Sequence, residues 1–179
     1  MASNTWYITD SVSVHSPDST VAGTTTDGAG APLTLGTRVT GNDGTVWVYA
    51  QAGSAIGKYF AVAISGSFQA ALLNVTNANL GYYIGFAQCA FADNDFGWFA
   101  LAGTGSNFGI KVRSSCAAGV ALYTDVSASG FLDDSATATQ ALIEGVVILT
   151  LQSSSTVQSF VTAGAEVGAT AVVSLARNR

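Results

Sequence analysis

Apolar and polar residues alternate along the chain from Gly36 onward, in short runs that end at Gly, Asn, Asp or Ser. A period of two is typical of β-strands, because successive side chains of a strand point to opposite faces. In the clearest run, 107–113, three apolar side chains fall on one face while Lys111 and Arg113 fall on the other. This alternation predicts an antiparallel strand with one buried face and one face in solvent.

Other runs are apolar on both faces, namely 46–50, 59–64, 82–91 and 143–151. A strand of this kind has to be covered on both sides. One side can face the interior of a barrel. The other side then needs a second sheet or another subunit.

Turn residues separate the predicted strands. The Asp-Gly pair within 42–44 favours a hairpin ahead of Trp47. Short polar turns connect 82–91 to 96–102, and 96–102 to 107–113, which predicts a three-stranded meander.

Runs at 120–124 and 171–175 predict two more strands. The segments 135–142 and 153–162 could each hold a short helix, although neither has a clear period of 3.6 residues. Strands that recur roughly every 8–12 residues, with turns between them, are typical of barrels and sandwiches. The sequence therefore predicts an all-β fold, an antiparallel β-barrel or sandwich.

The N-terminal segment has a different composition. It is rich in Ser, Thr, Gly and Asp and carries few apolar side chains, so it cannot form a core of its own. We predict an extended N-terminal arm over residues 1–35, followed by a β domain over residues 36–179. Exposure of Trp6, Tyr7 and Ile8 would be unfavourable, so we expect these three residues to anchor the arm in a groove of this chain or of a neighbouring subunit.

Charged side chains are scarce in this protein. Of its 179 residues, 9% are charged and 49% are hydrophobic, with a mean hydropathy of +0.39. A soluble domain usually has about 25% charged residues. The composition is that of one folded domain, and the few charges favour a subunit that contacts other proteins over much of its surface.

The charge balance also disfavours several partners. The net charge is −5, and four Arg and two Lys are scattered singly along the chain. A nucleic-acid-binding protein needs a basic patch, and an anionic membrane surface attracts basic clusters, so neither partner is predicted. The sequence has no run of ~20 apolar residues that could span a membrane, and its first residues do not resemble a signal peptide.

Residues for nucleophilic or metal chemistry are few. The single histidine, His15, lies in a polar segment, and no Gly-x-Ser-x-Gly motif is present. Cys89 and Cys116 are interpreted as buried free thiols. The 53–59 segment departs from a phosphate-binding loop, because it is one residue short and has Tyr59 at the magnesium-ligand position.

Two acidic pairs are the only candidates for paired-carboxylate or calcium chemistry. Asp93 and Asp95 lie at a predicted hairpin tip, where such side chains bond to their own backbone. Asp133 and Asp134 could cap a short helix at Ser135 or form a turn. No acid and base pair can be nominated from them. We therefore predict a protein that is not an enzyme and that has no cofactor and no metal site.

Aromatic residues crowd two of the predicted strands. Phe96, Trp98 and Phe99 lie on one, and Trp47 and Tyr49 lie on the other. Aromatic side chains on strands at this spacing are most often core or interface residues. The alternative is a platform on which sugar rings stack.

Several short motifs follow one another in a suggestive order: 43–50 (DGTVWVYA), 85–87 (GFA), 96–99 (FGWF), 121–124 (ALYT) and 130–132 (GFL). In this order they resemble small virion proteins of tailed bacteriophages, of the capsid decoration or cement kind. The resemblance covers about residues 36–179 and brings no set of functional residues with it.

The resemblance implies a function and a location. Proteins of this kind sit on the outer surface of the capsid, often as homotrimers, and clamp the major capsid protein against internal pressure. Such a protein would be made in the host cytoplasm and would use an arm together with a compact β domain. Many decoration proteins are shorter than this chain, so a phage tail or fibre component that binds a host receptor or glycan is kept as the alternative.

Overall fold

The computed structural model of the chain describes residues 20–21, 33–41, 45–102, 107–148 and 159–165. These residues form two β-sheets and one short helix. The first sheet contains β1 (Thr20–Val21), β2 (Arg38–Thr40), β3 (Val46–Ala52), β4 (Ala61–Ile64), β5 (Gln69–Leu72), β6 (Tyr83–Ala87) and β7 (Phe96–Ala102). The second sheet contains β8 (Asn107–Val112), β9 (Leu122–Thr124), β10 (Leu132–Asp133), β11 (Leu142–Ile143), β12 (Val146–Ile148) and β13 (Ser159–Ala165). The helix is α1 (Val75–Ala78).

Five strands of the first sheet close into a barrel in the order β3-β7-β6-β4-β5 and back to β3. Four of the five junctions are antiparallel, and the β3–β5 junction, where Gln51 lies beside Gln69, is parallel. A closed ring with an odd number of strands cannot be antiparallel throughout, because strand direction would have to reverse an odd number of times around the ring. The all-β barrel prediction is confirmed, although the β3–β5 pair of the barrel and the β8–β10 pair of the second sheet are parallel.

Four of the five barrel strands, β3, β4, β6 and β7, bury both of their faces, whereas β5 exposes Gln69 and Ala71. Along β3, Val48 and Ala50 point into the barrel while Trp47 and Tyr49 point outward, and all four are fully buried. Successive side chains of a strand point to opposite faces, and in β3 the residues on both faces are apolar, so both faces are buried. The barrel interior is filled by Val48, Ala50, Ala52, Val62, Ile64, Ala70, Ala87, Phe99 and Leu101.

The second sheet covers the outside of the barrel wall. Its strands run in the order β11-β9-β10-β8-β13-β12, and apolar side chains of its inner face pack against outward-pointing residues of β3, β4, β6 and β7. The layer between barrel and sheet contains Trp47, Tyr49, Ile84, Phe86 and Trp98 from the barrel, and Ile110, Val112, Leu122, Leu132, Ile143, Val146 and Ile148 from the sheet. The second covering that the sequence required therefore comes from the same chain.

Polar bonds join the two sheets at the edge of β8. The buried side-chain amide of Gln88 donates to the Gly109 carbonyl and accepts from the Gly109 N–H, both at 2.9 Å. Next along the same strand, the Lys111 N–H donates to the Tyr59 carbonyl at 2.9 Å. In this way β8 satisfies its backbone groups with a side chain and a loop of the barrel instead of with β7.

The predicted meander is therefore only half correct. β6 and β7 pair as expected, with Phe86 beside Ala100, but β8 leaves the barrel and pairs with β13 and β10 in the second sheet. A polar turn between two strands fixes their adjacency in sequence, and it does not by itself decide whether they share a sheet.

Both helix predictions are wrong for the residues that the structure describes. Residues 135–141 form turns and extended chain ahead of β11, and the end of the 153–162 segment belongs to β13. The observed helix is a single turn whose N-cap, Asn74, accepts a bond from the Asn77 N–H while Asn77 accepts one from the Asn74 N–H. Such reciprocal capping can hold a turn that has no amphipathic period.

Candidate functional site

The predicted interface residues Trp6, Tyr7 and Ile8 lie outside the described residues, so their role as anchors stays a prediction. The predicted strand at 171–175 and His15 also lie outside them. Within the predicted arm, the structure describes β1, where Thr20 lies beside Gly97 and Val21 beside Phe96 in an antiparallel pair.

The strand β1 occupies an edge of the barrel that β6 leaves open. β6 ends at Ala87, opposite Phe99, and the next residue turns away to bond with β8. The remaining length of β7, at Phe96 and Gly97, is then available on that side, and β1 pairs with it. Backbone pairing of this kind needs no particular side chains, which suits a segment rich in Ser, Thr and Gly.

The aromatic residues considered as a sugar platform are core residues. Trp47, Tyr49, Trp98 and Phe99 have no exposed surface, and Phe96 is 9% exposed. Tyr49 and Trp98 meet edge to face with ring centroids 5.1 Å apart. No ring of this group presents a face on which a sugar could stack, so the platform interpretation is wrong and the core interpretation is confirmed.

Asp93 and Asp95 belong to the turn between β6 and β7, as predicted, whereas Asp133 ends the strand β10 and Asp134 follows it in a bend. The Asp95 carboxylate accepts from the Ala92 N–H at 2.9 Å and so closes the turn between β6 and β7. Asp133 accepts from the Ser135 hydroxyl, and Asp134 accepts from the Ala117 N–H at 2.7 Å. Among the described residues, no group of three or more His, Cys, Asp and Glu side chains could hold a metal ion.

Both cysteines are buried free thiols, in agreement with the sequence interpretation. Cys89 belongs to the barrel interior and Cys116 to the layer between the sheets. Burial, with a smaller contribution from Asp134 and Asp133, raises the pKa of the Cys116 thiol to about 12. Burial likewise raises the pKa of the Tyr49 hydroxyl to about 12. Both groups are therefore protonated at neutral pH and are poor nucleophiles.

The basic side chains that the structure describes are all placed on aromatic rings. Arg38 lies 4.7 Å from the centroid of the Tyr83 ring, on the far edge of the first sheet. The other three are gathered at the junction of barrel and second sheet. We call this group the basic patch, and it consists of Lys58, Phe60, Lys111, Arg113 and Phe131.

Two phenyl rings form the floor of the basic patch. Phe60 and Phe131 meet edge to face at 5.2 Å. Phe60 is held between two glycines, because a Cβ at Gly57 would lie 2.4 Å from its ring and one at Gly130 would lie 2.3 Å from it. Gly130 also has a φ of +82°, which L side chains rarely adopt. The rings are therefore fixed in position by the backbone around them.

The Lys111 ammonium lies over these rings, 4.2 Å from the Phe60 centroid and 5.6 Å from the Phe131 centroid. Lys58 lies in the neighbouring turn, with its ammonium 4.8 Å from the Tyr59 ring. Tyr59 has a φ of +72°, an unusual value for a bulky residue, and its backbone bonds to both β6 and β8. The turn is thus fastened to both sheets, and Lys58 directly precedes the residue whose carbonyl accepts the Lys111 N–H.

The third cation of the patch is neutralised. Arg113 forms a bidentate ion pair with Asp125, which also accepts from the N–H groups of Ser127 and Ala128. Burial tends to raise the pKa of the Asp125 carboxyl, but the bonds from Arg113 and the two N–H groups outweigh it and hold that pKa below its usual value. Asp125 is therefore a structural anion of the 125–128 loop.

Lys58 and Lys111 have no carboxylate partner within the described part of the chain, where the ion pair of Arg113 is the one present. With Arg113 offset by Asp125, the patch carries two net positive charges in a chain of net charge −5. The alternating pattern of 107–113 predicts a solvent face for Lys111 and Arg113, but it contains no signal for their contact with Phe60 and Phe131, which lie far away in the sequence.

No protein-family model matches this sequence, and a search of curated proteins gives no match. The resemblance to capsid decoration proteins consequently rests on the short motifs quoted above. In the described part of the chain, no helix has the length and apolar character needed to cross a bilayer.

Proposed function

We propose that the protein is a non-enzymatic structural subunit of a virion, which decorates the outer surface of the capsid and stabilises the shell of major capsid protein. The observation that carries the proposal is the pairing of β1 with the open edge of β7. It supports a mode of assembly in which an extended N-terminal segment adds a strand to a barrel through main-chain hydrogen bonds.

The mechanism follows from the chemistry of strand addition. A segment that pairs with its own barrel at Phe96 and Gly97 can pair with the same edge of a neighbouring copy, since the backbone groups are identical. Exchange of the arm would link copies of the protein into a closed ring such as a homotrimer. Trp6, Tyr7 and Ile8, ahead of that strand, would then provide apolar anchors for the major capsid protein.

The described residues offer little else that could be the main activity. Carboxylates of both acidic pairs accept bonds from backbone N–H groups, and the Cys116 and Tyr49 side chains are held protonated by burial. The barrel interior is filled by side chains. These observations support a stable particle whose function lies in its surfaces.

Deletion of residues 1–10 tests the proposal. We expect the truncated protein to keep its β-sheet circular dichroism and its thermal transition but to lose binding to capsid shells in a sedimentation assay. The matched control deletes Met1 to Thr5 alone and retains the three anchors. Full binding by the protein that lacks residues 1–10 would overturn the role of Trp6, Tyr7 and Ile8 as anchors.

Electron microscopy of intact particles tests the location. Density for the protein on the outer head surface, together with a trimer mass from light scattering, is expected. Density on the tail or its fibres, with binding to host glycans, would replace the decoration function by the tail or fibre alternative.

A further inference from the structure

We propose that the basic patch is a docking site for a carboxylate-bearing segment of a partner protein, which binds through Lys58 and Lys111. The inference rests on the proposed function for the identity of that partner as a shell subunit. It adds a second contact, on the barrel itself, to the contact made by the arm.

The geometry supports an anionic ligand at this place. The Lys111 side chain is half-buried against Phe60, so its ammonium has lost part of its water, yet no carboxylate of the described chain approaches it. Arg113, two residues further along the chain, already has a carboxylate partner, because it forms an ion pair with Asp125. A carboxylate of a partner protein would give Lys111 an ion pair of the same kind.

The surroundings favour a protein segment over a dense polyanion. Within the described residues, two ammonium groups of the patch have no ion pair, while Asp125 lies beside the patch and the whole chain carries a net charge of −5. A nucleic acid or a sulfated polysaccharide, with its closely spaced charges, is repelled by that field. One or two carboxylates with apolar neighbours match the two ammonium groups and the phenyl edges below them.

The experiment measures fluorescence anisotropy of a labelled short peptide, in which two glutamates are flanked by leucine residues, against the full-length protein. The variant is the double substitution Lys58→Met and Lys111→Met, which keeps the length of both side chains and removes their charge. The matched control is Arg38→Met, which removes a cation placed over Tyr83 elsewhere on the barrel. Circular dichroism and thermal unfolding of all three proteins establish that each is folded.

We expect the double variant to bind the peptide about tenfold more weakly than the parent protein, and the control to stay within about twofold, since ion pairs to an exposed and a half-buried lysine each contribute a modest amount. Binding should also weaken as salt shortens the screening length from about 10 Å to about 3 Å. Equal peptide binding by the parent and the double variant would overturn the inference, as would tighter binding of a sulfated polysaccharide than of the peptide.

A second measurement separates this inference from the proposed function. The same proteins are sedimented with capsid shells. If the parent binds the shells and the double variant binds them equally well, the patch inference is wrong while the decoration function stands. If no protein binds the shells but the peptide result holds, the decoration function is wrong while the patch remains a carboxylate site.

Discussion

The barrel and the second sheet are built from the same kind of short strand, but they use their faces differently. In the barrel, β3 and β7 bury both faces, and Trp47 and Trp98 on the outside are as fully buried as Val48 and Phe99 on the inside. In the second sheet, strands such as β9 and β12 alternate between buried and partly exposed positions.

This difference shows where polar function can be placed. Barrel strands such as β3 and β4 have no side left for charge, and the stretch 59–92, which holds β4, β5 and β6, contains no charged residue. Charges and turns collect on the second sheet and at its junction with the barrel, where Lys111, Arg113 and Asp125 lie. The shortage of charge that suggests contact with other proteins is explained in large part by the second sheet of the same chain.

The largest loss of stability is expected for residues of the barrel strands that are buried under the second sheet. Trp98→Ala should lower the free energy of unfolding by about 3–5 kcal/mol, because it removes a fully buried ring between barrel and sheet. Val147→Ala, at a half-buried position of β12, should cost less than about 1 kcal/mol. Urea unfolding curves measure both, and equal losses would contradict the distinction between the two regions.

A second substitution of Trp98, to phenylalanine, tests whether packing alone accounts for the loss of stability. The indole N–H of Trp98 donates to no atom of the described structure, so Trp98→Phe gives up packing and no hydrogen bond. It should therefore be clearly milder than Trp98→Ala.

The next largest loss of stability is expected at the hydrogen bonds between Gln88 and Gly109, which connect the barrel to the second sheet. Gln88→Leu should lower the free energy of unfolding by about 2–4 kcal/mol, because it leaves the buried N–H and carbonyl of Gly109 without their partner. Gln88→Glu is the matched control of similar shape, which keeps an acceptor for the N–H and loses the donor for the carbonyl. Urea unfolding that shows Gln88→Leu to be as stable as the parent would mean that β8 is held by its apolar face alone.

A smaller effect with a pH signature is expected within the second sheet. The pKa of Asp125 is lower in the folded protein than in the unfolded chain, so its stabilising contribution is present above the unfolded pKa and is lost as pH falls through the folded pKa. Asp125→Asn should cost about 1–3 kcal/mol at neutral pH and should flatten the loss of stability below about pH 4. Thermal unfolding from pH 2 to 7 (roughly the range where carboxyls titrate) measures this, and an unchanged acid slope would contradict it.

The last prediction is that the two cysteine thiols of the folded protein do not react with thiol-specific reagents. Cys89 and Cys116 are buried in the barrel interior and in the layer between the sheets, and Cys116 has its pKa raised to about 12. Neither thiol should react with a thiol-specific reagent at neutral pH until the protein unfolds. Rapid labelling of Cys116 alone in the native protein would show that the layer opens more easily than the barrel does.

Much of the fold follows from local patterns. The runs 46–50, 59–64 and 82–91 correctly predict strands with two buried faces, and β2 and β3, which flank the Asp-Gly pair in the sequence, form an antiparallel pair. The single helical turn at Asn74 was missed, because reciprocal capping by two asparagines leaves no hydrophobic period to read.

Less of the basic patch than of the fold could be predicted from the sequence. Lys111 and Arg113 are visible as the polar face of an alternating strand, but Phe60 and Phe131 join them only through the docking of the two sheets. The close approach of Gly130 to Phe60 leaves no signal in the sequence beyond a glycine before an aromatic residue.

The sequence by itself determined which faces are buried, where the strands end, and that one chain must supply or find a second covering for its barrel strands. Tertiary structure decided what provides that covering, that the ring closes through one parallel junction, and that β8 leaves its neighbour for the second sheet. The physical reason is that a local pattern records only whether a side chain avoids water. Backbone pairing between distant strands, and the meeting of Lys111 with Phe60, depend on closure of the whole chain around its core.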